Sequence, residues 1–213
     1  MTDVGNRSFR DFQNYFFGDY TPDIEGILKE EQQTSVNFLE YLFERPVESG
    51  DIIFNPEMIS EHSHPAVTSR REEQPKIIVG FPGADMIEEN QNTVGNNFSA
   101  AVFHENYHID QFLGKNIPKF HDGAEPVVEA YAYFATLLYT DSLEDQEVRD
   151  SLNNALEDAR YGEDIKTHLN DIFSCYDSLN GDIEDIHYIL TEREAEDIEH
   201  HLEDFVDSNL LHS

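Results

Sequence analysis

The chain is short of several things, and each shortage narrows what it can be. It has one cysteine, Cys175, so no intramolecular disulfide can form. Cys175 falls in an apolar helical stretch, where a buried, inert thiol is expected. Bases are scarce. Thirteen Lys and Arg stand against 45 Asp and Glu, a formal net charge of −32; no nucleic-acid partner is expected. No apolar run is long enough to cross a bilayer, so no membrane partner is expected either. Residues 1–20 carry Arg7, Arg10, Asp11 and Asp19 with no unbroken apolar stretch, which is not the pattern of a secretory leader. A cytoplasmic protein is expected, in a high-salt cytoplasm or associated with a virus. No internal repeat is evident.

The acids are spread along the whole length rather than gathered in a tail. Disorder needs low hydrophobicity as well as charge, and this chain has 15 Phe and 10 Tyr arranged with amphipathic periodicity. It therefore reads as folded. Such a charge strains a compact state by self-repulsion in dilute salt, whereas at 1 M salt the Debye length shrinks to about 3 Å. Adaptation to high salt accounts for the acid excess economically. The rival reading is an acidic mimic of nucleic acid that fills a basic groove, which leaves the chain's histidine pattern unexplained.

That pattern is His104-Glu105-Asn106-Tyr107-His108. On a helix, residues i and i+4 share a face with Cβ atoms about 5–6 Å apart, the separation at which two imidazoles can meet one zinc ion. Glu105 then stands beside the metal rather than on it, where a carboxylate can act as general base toward a metal-activated water. Asn96-Asn97 precedes Phe98, Ala101, Val102, Ile109, Phe112 and Leu113 at helical spacing, and Gly114 suits a stop. The motif is therefore expected on a mostly apolar helix of about four turns.

A catalytic zinc takes three protein ligands and keeps one position open. Gln111 and Gly114 stand where the longer three-histidine motif needs Gly and His, so the third ligand lies elsewhere. The better candidate is Glu129, a charge set among Val127, Val128, Ala130, Ala132, Phe134 and Ala135 on a second apolar helix. A carboxylate in such surroundings costs several kcal/mol unless it is paired or coordinated. Asp122 is expected to cap that helix, with Glu125 completing a capping box and Pro126 in the first turn. His121 and Glu125 stay open as alternative third ligands.

With His104, Glu105, His108 and, twenty-one residues on, Glu129 opening Glu-Ala-x-Ala-x-Phe, the stretch 98–139 resembles the gluzincin branch of the zincin metallopeptidases. The resemblance covers under a quarter of the chain. It implies His104, His108 and Glu129 as zinc ligands, Glu105 as general base, and a peptide or protein substrate. It departs from the family at Ala130, where Gly is usual, at Asp110, where an apolar residue is preferred, and at Tyr133, where some members carry an Asp that orients a ligand. The family also has an edge strand that pairs with extended substrate. By resemblance that role falls to Lys76, Ile77, Ile78, Val79 and Gly80, in the best strand of the chain, 76–81.

The remainder reads as a single α+β domain of zincin-like class over 1–213, mostly helical with a small N-terminal sheet beside the metal-binding helix. A mixed lobe over about 1–114 would precede a helical lobe over about 115–213. Thr21-Pro22 opens a long helix that ends near Arg45-Pro46. Residues 51–54 form a strand and 55–75 a loop. Four apolar stripes follow Glu129's helix, two of them separated by Asn180-Gly181. A zinc peptidase also needs a donor for its oxyanion. His187, following a loop, is the choice here, with His168, His201, Tyr131, Tyr133 and Tyr161 as further options. The reading as a whole is a salt-adapted zinc peptidase. The alternatives are a zincin-shaped binding or structural protein without turnover, and the acidic mimic.

Overall fold

A computed structural model of the 213-residue chain describes residues 24–54, 66–69, 76–79, 87–88, 93–113, 124–159 and 161–210. These are mostly helical, with a small sheet in the N-terminal half. They gather into two compact units. One falls within Met1–Val36 and Ser49–Asn106, the other within Asn37–Glu48 and Tyr107–Ser213. Among the described residues no helix is long and apolar enough to cross a membrane.

The first unit holds most of helix α1 (Ile24–Phe43) and strands β1 (Asp51–Phe54), β2 (Ala66–Ser69) and β3 (Lys76–Val79). The strands form one mixed sheet in the order β1-β3-β2. β3 runs parallel to β1, with Ile52 opposite Ile77, and antiparallel to β2, with Thr68 opposite Ile77. Ile77 and Val79 are fully buried while Lys76 and Ile78 are half-exposed, the alternation of a sheet with one face on a core. A two-residue ladder, β4 (Ile87–Glu88) with β5 (Thr93–Val94), follows. Helix α2 (Asn96–Leu113) then begins, and Gly95 O accepts from Phe98 N at 2.9 Å and Ser99 N at 3.2 Å. The side chain of Ser99 donates to Glu31 on α1 at 2.6 Å.

Two expectations are corrected here. Residues 66–69 are a strand rather than part of a loop. Ala-Val-Thr-Ser is too short and too polar to announce itself, and its pairing is imposed by β3. Lys76–Val79 is the central strand and not an edge. Its backbone groups are taken by β1 on one side and β2 on the other, so it cannot pair with substrate. Gly80 lies outside the described residues, as does the Thr21-Pro22 start proposed for α1.

The second unit is helical: α3 (Glu125–Ser142), α4 (Gln146–Asp158), α5 (Gly162–Ser178), α6 (Ile183–Tyr188), a π-helical turn (Ile189–Arg193) and α7 (Glu194–Leu210). α3 is its axis and packs against α4, α5 and α7. Ala130, Ala132 and Ala135 are fully buried, and small side chains there let neighbours approach closely. Phe134 packs edge-on against Phe173 and Tyr176, with ring centroids 5.2 and 5.7 Å away. Phe38 and Phe43, from the last turns of α1, meet Tyr139 at 5.2 Å and Tyr107 at 5.9 Å.

The helix ends differ in part from expectation. Ala124 is the N-cap of α3 and gives no side-chain cap, so Glu125 is the first helical residue and closes no capping box. Asp122 lies outside the described residues. Pro126 does sit in the first turn, where its missing N–H costs nothing. α4 is capped by Asp145, whose carboxylate accepts from Glu147 N at 3.0 Å and Val148 N at 3.3 Å. Gly181, at φ +70°, makes the turn between α5 and α6 that Asn180-Gly181 implied. Beyond it the two apolar stripes expected as separate helices form one continuous rod joined by the π turn. Cys175 is half-buried rather than buried.

Candidate metal centre

α2 is apolar on most of its circumference: Phe98, Val102, Phe103, Tyr107 and Ile109 are all fully buried. Its 3.6-residue period sets His104 and His108 one turn apart on one side. His108 is 4% exposed and stacks on Phe112 with ring centroids 6.1 Å apart; His104 is half-buried. Asp110, two residues on, is fully buried and takes both guanidinium nitrogens of Arg45 at 3.0 and 2.6 Å. Arg45 in turn lies 4.9 Å over the ring of Phe43. The departure from an apolar residue at this position is thus a buried ion pair that pins α2 to the end of α1.

Glu129 comes from the second turn of α3, and its side chain is 25% exposed. One ligand atom each from His104, His108 and Glu129 lies within 4.8 Å of the others, and among the described residues this is the group of acids, histidines and cysteines that can hold a metal ion. Zinc bonds of about 2.0–2.1 Å in a tetrahedron place ligand atoms roughly 3.4 Å apart. His108 Nε2 and Glu129 Oε1, both in the second unit, already stand at 3.4 Å. Two imidazoles and one carboxylate are also a donor set that suits zinc. The residues present fit the ion.

Behind His108 lies a buried polar chain. Its Nδ1 is 2.7 Å from Gln111 Oε1. Gln111 Nε2 donates to Val128 O at 3.1 Å and to Glu194 Oε1 at 2.6 Å. Tyr107 donates its hydroxyl to Glu194 Oε2 at 2.8 Å. Tyr107, Gln111 and Glu194 are fully buried. Burial pushes the Tyr107 hydroxyl well above its ordinary value, and the Glu194 charge adds to the shift. Tyr131 is raised in the same way, first by burial and then by its 2.5 Å bond to Asp197. Both phenols are therefore fixed as neutral donors.

Glu105 is half-buried, and its carbonyl accepts from the hydroxyl of Thr68 at 3.1 Å, which ties β2 to α2. Glu125 stands one turn before Glu129 but is not drawn into the group of three, and His121 lies outside the described residues. His187 is half-buried on α6, and its Nδ1 has no hydrogen-bond partner among the described residues. It is not part of the group of three either. Of the remaining oxyanion options, the hydroxyl of Tyr131 is committed to Asp197. Tyr133 is buried, and Tyr161 is the half-buried N-cap of α5. His168 packs edge-on against His201 with ring centroids 4.7 Å apart.

Sequence reasoning missed Arg45, Gln111 and Glu194 as parts of this centre. Asp110 and Gln111 carried the available signal: adjacent polar residues inside an otherwise apolar helix need partners. Their partners lie 65 and 83 positions away, which no local pattern reveals. No family model, curated protein or solved structure matches the chain.

Proposed function

We propose that this protein is a zincin-like, zinc-dependent hydrolase of peptide bonds, with His104, His108 and Glu129 as ligands and Glu105 as general base. The observation that carries the reading is Glu129. It is a charge set in an apolar segment, and its carboxylate stands 3.4 Å from the Nε2 of the second motif histidine. When bound, zinc polarises the scissile carbonyl and makes water a competent nucleophile near neutral pH.

The chain's own residues supply the rest. Glu105 follows His104 by one position and so projects about 100° further round α2, beside the ligand face rather than on it. Half-exposed there, it can take a proton from the attacking water and pass it to the departing amine. The strand suited to lie along an extended peptide is β2, which is at an edge of the sheet among the described residues and is bound to the carbonyl of Glu105 through Thr68. His187, half-buried on α6, is kept as the proposed oxyanion donor on the need of such a peptidase for one. The charge of −32 suits work in high salt, where self-repulsion is screened.

The test is Glu105→Gln, assayed in high salt on a fluorogenic peptide library with zinc content measured in parallel. The variant should keep one zinc and lose about 10²–10⁴-fold in turnover. Equal turnover in variant and parent removes Glu105 as the base. A parent that holds zinc and cleaves nothing is a binding protein of this shape, and a parent that holds no zinc returns the acidic-mimic reading.

A further inference from the structure

We infer that Gln111 and Glu194 form a positioning relay that locks His108 in its Nδ1–H tautomer, leaving a bare lone pair on Nε2 where the metal would sit. The assignment follows from which atoms can donate. Gln111 Nε2 lies 3.1 Å from Val128 O and 2.6 Å from Glu194 Oε1, both acceptors. Flipping the amide would set its oxygen against a carbonyl and a carboxylate and forfeit both bonds, so the amide has one orientation. Its oxygen therefore faces His108 Nδ1 at 2.7 Å. An amide oxygen only accepts, so Nδ1 carries a proton, and in the neutral ring the lone pair is then on Nε2, 3.4 Å from Glu129 Oε1.

Burial makes the choice binding. Gln111 and Glu194 are fully buried and His108 is 4% exposed, so water does not stand in for a lost partner. Glu194 is itself held from the other side by Tyr107 at 2.8 Å. Its backbone N–H closes the π turn by reaching back to Ile189 O, so the widened turn ends on the residue that anchors the relay. The neutral side chain of histidine in water favours the opposite tautomer, with the proton on Nε2. Left alone, His108 would offer its lone pair to the protein interior and an N–H to Glu129. Metal-bound histidines commonly give their second nitrogen to a carboxylate or carbonyl directly. Here the carboxylate acts from one residue further away, through an amide that can face only one way.

The consequence for metal affinity rests on the proposed function, but the tautomer does not, and the experiment separates them. Ring-nitrogen NMR shifts are measured on chelator-treated, 15N-labelled protein at pH 8 in high salt. His108 is assigned by the signals lost in His108→Asn. The parent should show a protonated Nδ1 and an unprotonated Nε2. Gln111→Leu should move the proton to Nε2 and weaken zinc binding about 10–100-fold. Glu194→Gln, which keeps the shape but lets the amide of Gln111 turn over, should give a mixture of tautomers. A proton on Nε2 in the parent overturns the relay, and that measurement needs no variant to fold. An unchanged tautomer in Gln111→Leu overturns it too. The predicted tautomer in a protein that binds no zinc would leave the relay standing and remove the metal centre, whereas zinc binding with the opposite tautomer would do the reverse.

Discussion

Replacing Glu129 by Gln distinguishes a built metal centre from a merely acidic surface. The side chain is 25% exposed and an amide is nearly isosteric, so the fold should tolerate the change. Binding should not. Two imidazoles remain where two imidazoles and a carboxylate converged within 4.8 Å. Loss of an outer partner of a ligand typically costs 10–100-fold in affinity, so loss of a ligand itself should reach at least the upper figure, about 2.8 kcal/mol. A diffuse polyanion behaves differently, because removing one acid out of 45 barely alters its field. Zinc affinity is read by competition with a chromophoric chelator in high salt. Glu125→Gln, one turn earlier on α3 and also half-exposed, is the matched control for charge and should leave affinity within about twofold, since surface charges contribute little individually. Equal affinity in Glu129→Gln and parent would refute the centre, and a loss confined to Glu125→Gln would move the third ligand.

Arg45→Met should strand the fully buried Asp110. The cost should be about 3 kcal/mol, at the low end for a broken buried pair because Arg45 is a third exposed. For a chain of this size that lowers Tm by roughly 6–12 °C. The double variant Arg45→Met/Asp110→Leu should recover most of the loss in thermal unfolding; no recovery would mean that the orphaned carboxylate is not its cause. The imidazole of His168 is held below its ordinary 6.5, first by burial and then by the neighbouring His201, against the opposing pull of Asp171, Asp197 and Asp164. The folded state thus binds fewer protons than the unfolded one, so His168 contributes stability that is lost as pH falls below about 6.5. Denaturant titrations between pH 5.5 and 7.5 should show a shallower slope for His168→Gln, and an identical slope would contradict the assignment. Dilution from molar salt to physiological ionic strength should loosen or unfold the chain through unscreened repulsion, as followed by circular dichroism. Undiminished stability there would discredit salt adaptation.

How much was legible in advance depended on the range of the interaction. The helix carrying His104 and His108 could be read because an apolar period of 3.6 is a local property of the chain. Glu129 could be singled out for attention because a lone charge in an apolar stretch is costly wherever that stretch packs, and it stands 3.4 Å from His108 Nε2. The strand 66–69 could not, since four residues of modest propensity take their structure from a partner. Nor could the central place of 76–79 in the sheet, because a strand with strong propensity looks the same at an edge and in the middle.

Sequence alone therefore determined the helical character, the charge and the spacing of the two histidines, all properties written within a few turns of chain. Tertiary structure alone decided which strand is an edge, that Asp110 would find Arg45, and that a glutamate at a π turn would reach Gln111 behind His108. Those are pairings of residues far apart in sequence. Buried polar groups must be satisfied by whatever the fold brings to them, and only the folded chain specifies what arrives.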